Sequence, residues 1–226
     1  MSPALLGKGI YDLDEVARLV RRTRDEVAGW THGTNTGDAL LLPSDDRLLS
    51  FYDLVTAAVT AELRRREVPL VKIRDARHYL AEDYGLAWPL ASAAALGDLA
   101  SVGTDVYVRS RRKQVAPGVR EVAAGRWVDA SRGGQEAFPS IIRPLLRRIE
   151  FDEDRMAERW LPAKGVVIDP RIQAGAPCIA GTRLTTELVA DLVAEGDDPA
   201  DVARDYDVTP AAVDAALAYE RGLIAA

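Results

Sequence analysis

Two histidines, His32 and His78, and one cysteine, Cys178, are all the imidazole and thiol chemistry that this 226-residue chain carries. His32 falls at the end of one helical stretch and His78 inside another. Neither forms a Ser/His/Asp or Cys/His arrangement with its neighbours, so both read as structural or surface residues. Cys178 sits among apolar residues in a Pro- and Gly-bearing loop and reads as a small buried side chain. One cysteine and two histidines leave a His/Cys zinc site almost without ligands. The carboxylates of Asp152-Glu153-Asp154 and Asp197-Asp198 read as helix caps and solvated connector. No catalytic residue, metal or cofactor is therefore expected, and the chain is not expected to be an enzyme. The remaining candidate chemistry is charge. Arg21, Arg22 and Arg24 crowd together, and Lys72, Arg74 and Arg77 recur at helical spacing. Such groups suit a phosphate backbone, and their competing reading is a solvated helix face.

Two short helices must position the first cluster. Asp12 can cap one and Thr23 the next, each with a Glu three residues on (Glu15 and Glu26) as the reciprocal partner. Leu13, Val16, Ala17 and Val20 share one helical face, while Val27 and Trp30 point inward on the second helix. The result is a helix–turn–helix outline with Arg21, Arg22 and Arg24 at the leading end of its second helix, the end that enters a major groove in that motif. Residues 34–50 read as a loop or wing. Phe51 to Arg66 reads as an amphipathic helix with Leu54, Val55, Ala58, Val59 and Leu63 as its buried stripe. Pro69 breaks the chain. Leu70 to Glu82 reads as a further helix, with Val71, Ile73, Ala76 and Leu80 inward and Lys72, Arg74 and Arg77 outward. Residues 11–33 and 51–76 are similar to the two halves of MerR-like DNA-binding domains.

Residues 99–138 change character. Valines and aromatic residues at 102–108, 119–122 and 127–128, punctuated by glycines, predict a small antiparallel sheet. A short helix interrupted near Pro144 and a connector over residues 149–168 follow, ending in a strand at Val166-Val167-Ile168. Residues 169–183 then read DPRIQAGAPCIAGTR. Pro170, Gly175, Pro177 and Gly181 are spaced so that neither helix nor strand can run through them. The segment is expected to be a shaped loop or short hairpin, docked against the helices that follow. Those helices span LTTELVADLVAEG, a stretch capped by Asp198 and Pro199, and one capped by Thr209-Pro210. Leu188, Val189, Leu192 and Val193 are expected on one face of the first. Val202, Ala203, Val213, Ala216 and Leu217 would pack the other two into a second helix–turn–helix outline.

The motif of Asp169, Pro170, Gly175, Pro177, Gly181, Thr182 and Arg183 resembles that of a small helical family long catalogued without a function, with the pattern D-P-x-I, G-x-P-x-I-x-G-T-R. Cys178 stands where that family often has Val. Members occur alone or at the C-terminus of VapB-like antitoxins of type II toxin–antitoxin pairs. The resemblance covers about the last quarter of the chain. It implies a PIN-domain ribonuclease toxin as partner, whose carboxylate-held metal site such antitoxins block; operator DNA is expected as the ligand of the MerR-like N-terminal unit, and the remaining parts are expected to form a homodimer.

The net charge of −6 is unevenly spread. Residues 1–150 hold 22 Lys and Arg against 20 Asp and Glu, and residues 151–226 hold 7 against 15. The front is the better partner for phosphate, and the acidic rear for protein. A single cysteine and an N-terminus without an apolar core read as cytoplasmic, and no apolar run reaches the length of a membrane span. The expected fold is mainly α with a small antiparallel β region. It divides into a MerR-like winged helix–turn–helix domain at 1–98, a β region and connector at 99–164, and a C-terminal helical, helix–turn–helix-like domain at 165–226. The expected function is an autorepressing antitoxin, and the alternative is a stand-alone MerR-like transcriptional regulator with no toxin.

Overall fold

The computed structural model describes residues 6–33, 39–102, 105–108, 120–121, 128–129, 135–136 and 143–224. In chain order these form β1 (Gly9–Tyr11), α1 (Leu13–Val20), α2 (Arg24–Thr31), β2 (Leu49–Ser50), α3 (Phe51–Arg65), α4 (Leu70–Tyr84) and α5 (Ala93–Gly97). Then come β3 (Leu99–Val102), β4 (Asp105–Val108), β5 (Arg120–Glu121), β6 (Val128–Asp129), β7 (Gln135–Glu136), α6 (Arg143–Leu146), β8 (Ile149–Phe151), β9 (Ala157–Ala163) and β10 (Val166–Ile168). The chain finishes with β11 (Cys178–Ile179), α7 (Thr186–Glu195), α8 (Pro199–Asp205) and α9 (Pro210–Ile224). Helices dominate, and the sheets are small, as expected. Among the described residues no helix is long and apolar enough to cross a membrane.

α3 is the hub of the larger core. Twelve of its fifteen residues are buried, including Asp53, Thr56 and Thr60. The predicted one-sided stripe is therefore corrected: α3 is enclosed by α1, α4, the turn Pro89–Ala91 and β9, so its alanines and threonines are as buried as its leucines. Thr60 stays satisfied by donating to the Thr56 carbonyl one turn back, at 2.8 Å. Asp53, 0% exposed, forms a capping box with Ser50. It also accepts from the Leu42 amide at 2.8 Å and the Trp88 indole at 2.9 Å. One buried carboxylate thus ties the loop after α2, the start of α3 and Trp88 together, and Trp88 packs on Tyr52 with ring centroids 5.4 Å apart.

Two expectations for α4 are overturned. Val71, placed inward, is 55% exposed, and Arg77, placed outward, is 9% exposed. Arg77 is drawn in because its guanidinium donates to the Ala87 carbonyl at 2.7 Å, holding the chain where it folds back after Gly85. Leu188 is likewise 41% exposed rather than on the packed face of α7.

The middle strands pair β3–β4 antiparallel but β4–β5 parallel, so that sheet is mixed. β6 and β7 form a separate antiparallel pair. Residues 149–163 are not a connector. β8 and β9 pair antiparallel and extend through β10 and β11 into a four-stranded sheet. That sheet runs across the expected boundary at 164/165, with Ile149, Ala157, Trp160, Val166 and Ile168 in the same core as α3. A second, smaller core gathers Ile179, Leu184, Val189, Val202, Ala203, Val213 and Ala216. α9 serves both: Val213 and Ala216 lie in the small core, while Tyr219 and Leu223, further along, lie in the large one.

Candidate nucleic-acid interface and the motif loop

α1 and α2 are built by their caps. The Asp12 side chain accepts from the Glu15 amide at 2.7 Å, and Thr23 with Glu26 forms a complete capping box. α1 ends at Arg21 in the left-handed region, φ 56°. β1 lies just before α1 and pairs antiparallel with β2 at the far end of the wing segment. Val27 and Trp30 are buried, and Arg24, Asp25, Glu26 and Gly29 are exposed. α2 therefore presents one face to solvent.

The two basic clusters are not equivalent. The Arg21 guanidinium packs on α9, where an added Cβ at Gly222 would lie 2.8 Å from one of its terminal nitrogens. Arg22 donates to the Ala61 carbonyl at 2.9 Å and pairs with Glu26 at 3.5 Å. Arg24 pairs with Asp14 at 3.0 Å and is 60% exposed. In the second cluster Arg74 donates to the carbonyls of Gly29 and His32 at 2.8 and 2.9 Å, satisfying orphan groups at the end of α2. Arg77 is buried as described, and Lys72 is half-buried. Arg22, Arg74 and Arg77 spend hydrogen bonds on backbone carbonyls, whereas Arg24 is held by a single exposed carboxylate. Arg74→Ala is accordingly expected to cost about 1–2 kcal/mol of stability, visible as a lowered urea midpoint with an unchanged slope.

The motif loop is fastened from both sides. Asp169, 3% exposed, accepts from the Arg171 amide at 3.0 Å, from Arg171 Nε and Nη2 at 2.8 and 2.7 Å, and from Arg159 Nε at 3.0 Å. Arg171 also pairs with Glu158 at 2.6 Å and Arg159 with Glu150 at 3.1 Å. Burial pulls the Asp169 carboxyl upward, but the hydrogen bonds and charge of Arg171, helped by Arg159, outweigh it and leave its pKa lowered. Pro170 and Pro177 are buried, and Arg183 is exposed. Thr182 Oγ1 donates to the Ile179 carbonyl at 2.9 Å and accepts from the Leu184 amide at 3.0 Å. Gln173, Ala174 and Gly175 all have positive φ, a run that leads into a close contact with the N-terminal half. There the Tyr11 hydroxyl donates to the Gly175 carbonyl at 3.2 Å. Burial, and then the charge of Glu15, raise the Tyr11 pKa, so it remains a neutral donor.

A second tie joins α1 to α9. Glu220 is buried, accepts from Thr186 Oγ1, and pairs with Arg18 at 3.5 Å. Sequence reasoning misses this link: Glu220 reads as one more acid on an acidic helix, and only the partners brought from α1 and α7 show its use.

The remaining reactive groups are committed elsewhere. His32 Nδ1 lies 2.8 Å from the Ala28 carbonyl, and His78 faces Glu82 at 3.4 Å. Cys178 is buried, and burial pushes its thiol up, away from thiolate chemistry. Among the described residues no group of three or more His, Cys, Asp or Glu side chains is placed to hold a metal.

The fold and the loop define a mainly α-helical protein ending in a compact sheet-and-helix module, and residues 166–219 match the family model described as "Protein of unknown function (DUF433)". That match spans about a quarter of the chain. Over almost the whole length the chain is similar to a Mycobacterium tuberculosis protein named "Putative antitoxin VapB45", 28% identical over 219 residues, covering 89% of each chain. It is also similar to "Uncharacterized protein Rv2308" of the same organism, 23% identical over 232 residues, covering 96% of this chain and 92% of that one. The crystal structure of Rv2018 from Mycobacterium tuberculosis superposes with a TM-score of 0.66 at 27% identity, covering 93% of this chain and 98% of that one. Of these relatives, one carries the name of an antitoxin.

Proposed function

We propose that the chain is an antitoxin that binds and neutralises a PIN-domain ribonuclease and represses its own operon through the α1–α2 unit. The single observation that carries this reading is the similarity, along 89% of the chain, to the protein named as an antitoxin. Two features of the molecule support the division of labour. α2 is exposed along one face and preceded by a capped α1, and β1, just before α1, pairs with β2, just before α3, so that the two strands close off the α1–α2 unit. The helices α7 to α9 expose Glu187, Asp191, Glu195, Asp201, Asp205 and Asp214, a surface that repels phosphate and suits a protein partner.

The test is co-expression with the product of the adjacent reading frame, followed by size-exclusion chromatography with and without a labelled upstream DNA fragment. A co-eluting complex with suppressed ribonuclease activity is the expected result. A fully active nuclease alongside the chain defeats the toxin half of the reading. For the DNA half, Arg24→Ala is expected to reduce the salt dependence of operator binding by about one slope unit while leaving the melting temperature unchanged. An unaltered slope removes α2 from the interface. Arg22 and Arg74 are poorer probes, since their loss also unties backbone carbonyls.

A further inference from the structure

A cavity of about 340 Å³ opens where α1, α3, α6, β9 and α9 meet. Ala58, Trp160 and Tyr219 in its wall are buried, at 6%, 6% and 3% exposure. Arg21, Arg65 and Arg148 also line it, and all three are exposed, so an apolar interior lies beneath a basic rim. The carboxylate in the lining, Glu62, is already shared between Arg65 and Arg66, which leaves the rim net positive. Arg148 spends one terminal nitrogen on the Pro162 carbonyl at 3.2 Å and keeps the rest of its fork for another acceptor. Among the described residues the Trp160 indole nitrogen and the Tyr219 hydroxyl are both buried with no hydrogen-bond partner. An orphaned donor in a core is costly; both atoms lie behind the cavity surface, on residues that line it. Tyr219 is also kept protonated, because burial and then Glu220 push its phenol up.

We infer that this cavity binds a small organic anion: a compact apolar body carrying one carboxylate or phosphate group. The apolar body takes the space beside Ala58 and Trp160. The anion takes charge-assisted hydrogen bonds from Arg65 and Arg148 at the mouth, where guanidinium forks match either group. The volume fits a ligand of that size. Such binding requires neither a toxin nor DNA.

Isothermal titration calorimetry of the full chain at low salt, with no DNA or toxin present, tests it with three probes: benzoate, phenyl phosphate and inorganic phosphate. Saturable binding of benzoate or phenyl phosphate is expected, with inorganic phosphate weaker by about tenfold or more because it leaves the apolar wall uncovered. Which of the two aromatic probes is tighter identifies the anionic group. Arg65→Ala and Arg148→Ala change exposed rim residues, and each is expected to weaken binding by about tenfold. Since Arg148 also holds the Pro162 carbonyl and Arg65 pairs with Glu62, the melting temperature of each variant is measured beside the titration. Failure of both aromatic probes to saturate overturns the site. So does equal affinity for inorganic phosphate, or unchanged affinity in both arginine variants.

Discussion

Gly175→Ala is expected to destabilise the chain by about 2–6 kcal/mol, and Gly181→Ala, at nearly the same backbone angle, by only about 1–3 kcal/mol. The two glycines have φ of +86° and +83°, so a side chain at either is strained by the backbone alone. Their surroundings differ. A Cβ on Gly181 meets nothing within 4 Å, whereas one on Gly175 would run into the Tyr11 hydroxyl oxygen and lie 2.7 Å from the ring carbon that bears it. Tyr11 cannot swing aside, because it is 0% exposed in the larger core. The methyl group must therefore push the motif loop off β1, and the hydrogen bond from Tyr11 to Gly175 goes with it. Urea denaturation of both variants measures the contrast. Equal costs would mean that the loop does not bear on Tyr11 in solution. Tyr11→Phe separates the two contributions, since it removes only the hydrogen bond and is expected to cost about 1 kcal/mol.

That contact also marks where reading the sequence stops. The glycine and proline spacing is enough to require a shaped loop at 169–183, and the caps at Asp12, Thr23 and Asp198 locate helix starts, because each is a signal confined to a few neighbouring residues. Tyr11 and Gly175 are separated by 164 residues, and nothing local in either announces the other. α3 shows the same limit in another form. Its leucines and valines give a stripe, but Ala57, Thr56 and Thr60 are buried because separate elements cover its other faces. A periodicity argument weighs only side-chain polarity and has no access to those elements. The strand at 157–163 is hidden by composition, since AERWLPA holds a proline and two charges. Those charges are not strand-breaking here: Glu158 and Arg159 are used in the ion-pair network around Asp169. Arg22, Arg74 and Arg77 are legible as positive charge. Their targets are backbone carbonyls of distant turns, which a sequence does not display, and this is why charge clustering alone ranks them equal to Arg24.

The network around Asp169 supplies the other large effect. Asp169→Asn is expected to cost about 2–4 kcal/mol at neutral pH. It replaces a buried acceptor of four hydrogen bonds with a neutral amide whose NH2 group sets donors against the guanidinium N–H donors. The value sits below the range for a fully enclosed pair because Arg159 and Arg171 are 43% and 27% exposed and water screens part of what they lose. The pH dependence fixes the cause. Asp169 has its folded-state pKa lowered from the ordinary value of 3.8. Its contribution is therefore complete above that unfolded-state value and drains away as the pH falls through the lower folded one. The amide that replaces it does not titrate. The stability gap between wild type and Asp169→Asn should thus be constant from neutral pH down to about 5 and then narrow towards about pH 3. A gap that stays constant across the acid range would show that the variant suffers from altered shape rather than lost charge, and the carboxylate would no longer be what holds the motif loop to β9.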